Sequence, residues 1–318
     1  MGFFGRLFGK RSKTTEQAAG AEAVDAGIDP QAEAELEAAE QEAEAEPRLN
    51  LQVLFPKPPT LDSDLFLRAV QKLHQSMADA ELTTSTVNGA GEGTISWGPH
   101  RIEILIRRKS LPTELTRRIV GASPYRPEVK EQIKAHKSYV VLYHEDNSVA
   151  PWDQYVALAA AAAALSRQQG ATAISNAFSA TAVPAAAFDQ LFKSDALHKL
   201  HTMAPATLYC GFIKLGIPRS EKVWMRTIGA HHLDLPDLAL LADNAQQGNR
   251  VFGLFNTILD QVRKANIRLQ EGQTVQLAAD MTLRVRAPKP PEYMLENPGK
   301  IYVVEPQSAG SSPATVAM

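Results

Sequence analysis

Cysteine is nearly absent from this sequence, which has Cys210 as its single example. One cysteine excludes an internal disulfide and any metal site built from several cysteines, and it is typical of a reducing compartment. No apolar run approaches the roughly 18–20 residues of a membrane-spanning helix. A secretory signal is not predicted either, because no long apolar core follows the basic start. We therefore expect a soluble cytoplasmic protein.

Motifs of common enzyme classes are also lacking. There is no Gly-x-Ser-x-Gly elbow and no histidine-glutamate metalloprotease motif. The glycine-rich stretch 88–93 has no Lys-Ser/Thr and leads into a predicted strand, so we interpret it as a hairpin loop. His231 and His232 carry metal-ligating groups, but the side chains of adjacent residues in an extended loop diverge. The sequence therefore predicts no metal and no cofactor.

Acidic and basic residues are unevenly distributed along the chain. Residues 1–13 hold four bases and no acid, whereas residues 14–47 hold eleven acids and no base. Residues 48–318 hold 29 bases and 24 acids, which is a mild positive excess. Nucleic-acid binding calls for a dense basic face, so this balance predicts no nucleic-acid partner.

Residues 1–13 predict a short amphipathic helix. The residues expected to contact a membrane are Phe3, Phe4, Leu7 and Phe8 on the apolar face and Arg6, Lys10 and Arg11 beside it. Two interpretations stay open. The segment either lies on an anionic membrane surface, which implies a peripheral location on the inner membrane face, or docks on protein, whether its own core or a partner.

Two segments are predicted to be disordered. Residues 14–47 form an acidic, alanine-rich linker with too few large apolar side chains to offset the entropy of ordering. Residues 306–318 form a Ser/Pro/Ala tail. Between them we expect a first α/β unit at 48–148, then a bridging helix and a second α/β unit at 149–305.

Hydrophobic periodicity predicts a β-α-β-β-α-β order in the first unit. The expected elements are strand Leu49–Phe55, helix Asp62–Ala80, strands Leu82–Val87 and Thr94–Trp97, the latter continuing into Arg101–Arg107, helix Pro127–Lys137 and strand Ser138–His144. This order is that of a ferredoxin-like sheet.

The second unit is predicted to follow an alanine-rich bridging helix, Pro151–Gln169, which ends before Gly170. The elements expected next are strand Thr172–Asn176, helix Pro184–Met203, strands Thr207–Leu215 and Lys222–Thr227, helices Pro236–Ala245 and Asn249–Asn266, and one or two strands at Thr274–Val285. The predicted fold class is α+β, with two tandem ferredoxin-like units joined by the alanine-rich helix.

A family resemblance lies within this second unit. The sequence TLYCGFIKL is followed by VWMRTIGAHHLDLPDLALLA. Together they resemble the bacterial domain-of-unknown-function family 4261, in which a strand, an Arg-Thr-x-Gly turn and a Leu-Pro-Asp/Glu-Leu helix start occur in this order. The likeness covers roughly Val149–Leu277 and is most specific at Trp224–Leu238. It implies a fold unit and a bacterial origin, and it carries no catalytic residue.

Candidate ligand-binding residues lie in the same segment. A guanidinium and a hydroxyl at the end of a predicted strand, followed by the N-terminus of a predicted helix with Asp234 as its cap, can hold a phosphate or carboxylate. The candidates are Arg226, Thr227, His231, His232 and Asp234. The alternative is structural: the arginine pairs with a carboxylate, and the aspartate only caps the helix. Cys210, in an apolar strand, is predicted to be a core residue.

Two functions remain open on this reading. The first is a non-catalytic binding or adaptor module, tethered beside a membrane by residues 1–13 and spaced from it by the acidic linker. The second is an enzyme or sensor that binds a small anionic ligand near Arg226–Asp237. A buried, fully paired Arg226 favours the first, whereas a cleft that joins these residues to Asp153 or Glu145 favours the second.

Overall fold

The computed structural model describes residues 48–87, 90–122, 125–191, 196–202, 209–278, 281–290, 292, 295–306 and 315–316. The predictions for the membrane-contacting segment and the acidic linker therefore lie outside the described residues, as does most of the predicted C-terminal tail. Leu49–Met318 forms one compact unit.

The described residues form helices of 7–19 residues and two sheets. The helices are α1 Ser63–Gln71, α2 Thr113–Ala122, α3 Pro127–Lys134, α4 Pro151–Gln169, α5 Ala185–Leu191, α6 Ala196–Thr202 and α7 Gly248–Ala265. The strands of the first sheet are β1 Asn50–Phe55, β2 Glu81–Val87, β3 Ala90–Trp97, β4 His100–Arg107, β5 Ser138–His144, β6 Ala173–Asn176 and β7 Thr181–Pro184. Those of the second are β8 Gly211–Gly216, β9 Val223–Ile228, β10 Asp237–Ala242, β11 Thr274–Ala278, β12 Met281–Arg286, β13 Ile301–Pro306 and β14 Thr315–Val316.

The first sheet has the order β2-β3-β4-β5-β1-β6-β7, with every neighbouring pair antiparallel. Helices cover both of its faces. Since side chains alternate between the two faces of a strand, neighbouring residues pack against different helices. Val53 of β1 joins the main core with α1 and α4, whereas its neighbour Leu54 packs with Ile119 of α2 and Ile133 near the end of α3.

The second sheet has the order β14-β11-β12-β13-β10-β9-β8. The β10–β13 and β11–β14 pairs are parallel, and the other pairs are antiparallel. One face is covered by α7, whose Phe255 and Leu259 are fully buried in the main core. The other face carries a smaller apolar cluster in which Trp224 packs with Leu295 and Val303.

Helix α4 lies at the centre of the molecule, as its alanine-rich sequence favours. Residues 154–166 are all buried, and the helix packs on the first sheet and against α1 and the turn after β9. A helix that is apolar all round belongs in a core, and alanine lets neighbouring backbones come close. The predicted bounds of this helix are confirmed, and Gly170 follows it in the left-handed conformation at φ 63°.

The α+β class and the presence of two sheets agree with the prediction, but tandem ferredoxin-like units are not confirmed. In the part of the chain that the structure describes, each sheet has seven strands, and the first has helices on both faces. Strand β6 was expected in the second unit, yet it pairs with β1 and extends the first sheet together with β7, which was not predicted. The connection through α4 thus returns the chain to the sheet it left.

Several local predictions are corrected. The helix expected at Pro236–Ala245 is strand β10, because β9 and β13 supply backbone partners on both of its sides. Of the helix expected at Pro184–Met203, the described residues after Pro184 form α5 and α6, and Pro184 itself ends β7. Helix α2 and strand β13 were not predicted, and Thr315–Val316 of the predicted tail pairs with β11.

Candidate functional site

The predicted ligand-binding residues lie on β9 and on the turn between β9 and β10. Gly229, at φ 91°, ends the strand and begins a 3-10 turn at Ala230–Leu233. Asp234 follows in the left-handed conformation at φ 58° and is exposed. Since no helix starts here, Asp234 is not a helix cap, and the helix N-terminus expected to help hold an anion is replaced by the start of β10.

A buried carboxylate, Asp237, occupies the centre of this region. It accepts hydrogen bonds from Thr227 Oγ1 at 2.8 Å, Asn297 Nδ2 at 2.9 Å and the backbone N–H of Ala230 at 3.2 Å, and it lies 3.4 Å from His231 Nδ1. Burial alone would raise the pKa of Asp237, but these hydrogen bonds outweigh it and hold the pKa below its ordinary value. The carboxylate is therefore ionised and fully occupied by donors of the chain itself. We call these five residues the Asp237 cluster.

Arg226 is buried beside the Asp237 cluster, and its guanidinium is held by groups of the chain. It donates to the carbonyls of Thr227 and Glu296, each at 3.1 Å, and to Asn297 Oδ1. Asn297 in turn donates to Asp237, so it bridges the two charges. Burial lowers the pKa of Arg226, and the nearby Asp237 opposes that effect. This arrangement corresponds to the structural alternative, with an amide placed between the cation and the carboxylate.

The rings of the two adjacent histidines contact each other at a tilt of 38°, with their centroids 4.1 Å apart. His232 also contacts the ring of Phe178 at 4.5 Å, and burial lowers the pKa of His232 to about 4. His231 is partly exposed, and Gly299 lies so close that a Cβ there would come within 2.3 Å of His231 Cβ. Within the described residues, no group of three or more His, Cys, Asp or Glu side chains can hold a metal ion.

Asn297 and Glu296 were missed by the sequence analysis. They lie in the loop before β13, about 70 positions from Arg226 along the chain. No local pattern marks them. Only the parallel pairing of β10 with β13 brings this loop to the end of β9.

Asp153 and Glu145, whose approach to the candidate residues would favour a ligand site, each pair with a different residue instead. Asp153 of α4 pairs with His201 of α6 at 3.6 Å, and Glu145 pairs with Arg101. In the described residues, neither makes a hydrogen bond or ion pair with the Asp237 cluster.

A second histidine pair lies near Asp153 and was not predicted. His100 Nδ1 and His144 Nε2 are 3.2 Å apart on the neighbouring strands β4 and β5. His144 is fully buried, and burial together with His100 lowers its pKa to about 4. At neutral pH the His144 ring is therefore uncharged.

Cys210 is buried, which confirms the prediction of a core residue. It lies immediately before β8 rather than inside the strand. Burial and the nearby Asp237 charge both raise the pKa of the thiol well above its ordinary value, so the thiolate form is strongly disfavoured.

The described residues form an α+β protein with two seven-stranded sheets and a buried alanine-rich helix that packs on the first sheet. No family model matches the chain, no curated protein matches it, and no solved structure matches its fold. Among the described residues, no helix is both long enough and apolar enough to cross a membrane.

Proposed function

We propose that this protein is a non-catalytic binding or adaptor module, peripherally tethered to an anionic membrane surface by residues 1–13. The proposal that the protein is non-catalytic rests on the burial and hydrogen bonding of Arg226 and Asp237. Both are buried, and both are held by hydrogen bonds to other groups of the chain. The strongest candidate for anion binding thus fastens β9 to β10 and to the loop before β13, which is a structural role.

The tether is supported by the residue pattern of the N-terminal segment. Each base near an anionic surface contributes about 1 kcal/mol, and each large apolar side chain contributes up to roughly 1.5–3 kcal/mol if fully buried. Partial insertion and the entropy of ordering reduce that total. Binding is therefore reversible and sensitive to salt, and the acidic residues 14–47 serve as the spacer in a cytoplasmic setting.

Vesicle sedimentation with the full chain tests the tether. Vesicles of phosphatidylglycerol and phosphatidylcholine in equal parts should bind the protein at low salt, and vesicles of phosphatidylcholine alone should bind it much more weakly. Phe4→Ala with Phe8→Ala should remove most of the binding to anionic vesicles. Replacing Arg6, Lys10 and Arg11 by Gln should mainly remove the preference for anionic lipid.

Deletion of residues 2–11 is the decisive variant for the tether. It should weaken binding at least as much as the double Phe variant while leaving the melting temperature unchanged. A deletion that lowers the melting temperature would instead indicate docking of this segment on the protein's own core.

One observation favours the second candidate, an enzyme or sensor for a small anion near Arg226–Asp237. His231 is partly exposed while its Nδ1 faces the carboxylate of Asp237, which is how a carboxylate orients a histidine base. His231→Gln keeps a polar side chain at this position. If that variant loses binding of inorganic phosphate measured by calorimetry, the second candidate replaces the first.

A further inference from the structure

The positive excess of residues 48–318 is concentrated in one stretch. Residues 101–137 hold ten bases and four acids, and the rest of 48–318 holds 19 bases and 20 acids. This stretch folds into β4, α2, α3 and their connecting loops. Seven of its exposed basic side chains lie on α2, on α3 or in the loops beside them, and we call these residues the α2–α3 basic surface: Arg108, Lys109, Arg117, Arg118, Arg126, Lys134 and Lys137. The net charge summed over residues 48–318 does not reveal this local concentration of bases.

A concavity of about 370 Å³ lies within the α2–α3 basic surface, between the start of α2 and the end of α3. Three bases and three hydroxyl side chains line it. The lining residues are Ser110, Leu111, Thr113, Thr116, Arg117, Lys134, His136 and Lys137. The three cations are the groups that can recognise phosphate oxygens here, because the Ser110 and Thr116 hydroxyls already donate to the backbone carbonyls of His136 and Leu111, at 2.8 and 3.4 Å.

His136 gives the concavity a fixed wall. Its Nε2 accepts a hydrogen bond from the backbone N–H of Leu111 at 2.9 Å, so its Nδ1 carries the proton and donates to the carbonyl of Ile133 at 2.8 Å. Burial lowers the pKa of His136, in agreement with a neutral ring. The loop before α2 is further held by Ser110, which donates to the backbone carbonyl of His136 at 2.8 Å. The wall is thus rigid and uncharged, and the charge comes from the bases around it.

The bases of the concavity are available for exchange with an anion. Arg117 pairs with Glu114 and Lys134 pairs with Glu131, in each case as an exposed pair three residues apart on a helix. Exposed pairs of this kind are weak and are screened by salt, so a phosphate can compete for the same cations. Lys137 is exposed, and its backbone N–H anchors the end of the α3 loop to the carbonyl of Phe55 at 2.8 Å.

We infer that this concavity binds the phosphate of an anionic phospholipid headgroup, and that the α2–α3 basic surface is a second membrane contact. The inference rests on the proposed membrane-tethered function and adds a site in the folded body. A membrane fits this surface better than a nucleic acid does. Carboxylates of α2 and α3 are interleaved with the bases, so this is not the dense basic face that a nucleic acid calls for.

A matched pair of triple variants of the full chain tests the inference. Arg117→Gln, Lys134→Gln and Lys137→Gln remove three charges from the concavity. Lys222→Gln, Arg250→Gln and Arg268→Gln remove the same number of exposed charges elsewhere. At about five-fold per base, the first variant should bind phosphatidylglycerol vesicles about a hundred-fold more weakly. The second should change binding less than about three-fold. Equal losses in the two variants would overturn the inference.

Two further arms separate the possible sources of phosphate. Inorganic phosphate should shift the NMR signals of the Leu111 amide and the His136 ring, both in the full chain and after deletion of residues 2–11. Phosphate binding without any vesicle binding would assign the site to a soluble ligand and overturn the membrane contact. A short DNA duplex that binds more tightly than the vesicles would overturn it as well.

Failure of the tether and failure of this second contact give different results. If deletion of residues 2–11 leaves vesicle binding unchanged while the concavity variant loses it, the proposed tether fails and this inference stands. All three replaced side chains of the concavity are exposed, so we expect an unchanged melting temperature. If the triple variant does not fold, Lys137→Gln alone should still weaken vesicle binding about five-fold.

Discussion

At the scale of single residues, Asp237 is the most constrained charge in the described structure of the β9–β10 region. Its carboxylate is ionised in a buried site because Thr227, Asn297 and the Ala230 N–H all direct hydrogens at it. A buried carboxylate is tolerated while it accepts hydrogen bonds from its donors. Removing the carboxylate leaves those buried donors without an acceptor, which is costly. The cluster therefore stabilises this corner of the fold only as a complete set.

Replacing Asp237 by Asn should destabilise the protein by about 2–4 kcal/mol, because the new amide NH₂ group faces donors. Chemical denaturation followed by circular dichroism measures this change in the free energy of unfolding. Asp234→Asn is the matched control. That residue is exposed at φ 58°, where Asn is well tolerated, so its effect should stay within about 0.5 kcal/mol. Equal effects of the two variants would show that the cluster does not stabilise the fold.

His144 predicts a loss of stability on mild acidification. Its pKa is about 4 in the folded protein and near 6.5 when unfolded, so the unfolded state binds more protons between these pH values. Stability should therefore fall as the pH decreases from 6.5 to 4, by up to about 3 kcal/mol from this residue. His232, with its pKa also lowered to about 4, acts in the same direction.

Denaturation curves at several pH values between 4 and 7 measure this effect. His144→Asn should unfold more easily at pH 7 but should lose less additional stability on acidification than the unmodified protein. The contribution of His232 remains in that variant. An identical pH slope for both proteins would contradict the assignment of a depressed pKa to His144.

At the scale of elements, the turn between β6 and β7 joins the first sheet to the second. Asn176 Oδ1 shapes this turn by accepting from the N–H groups of Phe178 and Ser179, at 3.0 and 3.3 Å. The backbone of Ser179 then lies against Gly211 of β8 and against Gly229 after β9. Glycine is required at this contact because the two backbones touch with no space for a side chain.

The contact at Gly211 gives a test with a control in the same strand. A Cβ at Gly211 would come within 1.8 Å of the backbone oxygen of Ser179, whereas a Cβ at Gly216 would meet nothing within 4 Å. Gly211→Ala should lower the free energy of unfolding by at least about 2 kcal/mol, because two backbone segments must separate. Gly216→Ala should be neutral or slightly stabilising. A neutral Gly211→Ala would mean that the turn does not pack against β8.

At the scale of the whole molecule, the two sheets share one hydrophobic core. A single cluster of buried residues includes Ile95 of β3, Leu158 of α4 and Met225 of β9. Helix α4 has no exposed face along residues 154–166, so separating the sheets would expose it to water. Burial of this kind couples the unfolding of one sheet to that of the other.

We therefore expect both sheets to unfold at one denaturant midpoint. The first sheet contains Trp97 and the second contains Trp224, so two single-tryptophan proteins can report on them separately. Each is made by replacing the other tryptophans, including Trp152, by Phe. Coincident fluorescence transitions in urea are expected. Clearly different midpoints would indicate two independently folding units divided near residue 149, as the sequence pattern had suggested.

Much of the local structure could be predicted from the sequence. Strand β5 and helix α4 have the predicted bounds, and α7 lies within one residue of them at each end. In each case the deciding information is local, because apolar residues recur with the period of the element, or fill it completely, and a turn or capping residue follows. The buried state of Cys210 was predicted in the same way, from its apolar neighbours.

The sheet topology and the Asp237 cluster were decided by tertiary structure. The segment DLALLA has good helix formers, yet it becomes β10 because β9 and β13 offer hydrogen bonds along both edges. Arg226 finds its partners about 70 residues away, in a loop that carries no local signal. The sequence by itself determined which segments are apolar and where the chain turns. Which strands pair, and which buried charges meet, depended on contacts between distant residues, whose free energy exceeds the small differences in local propensity.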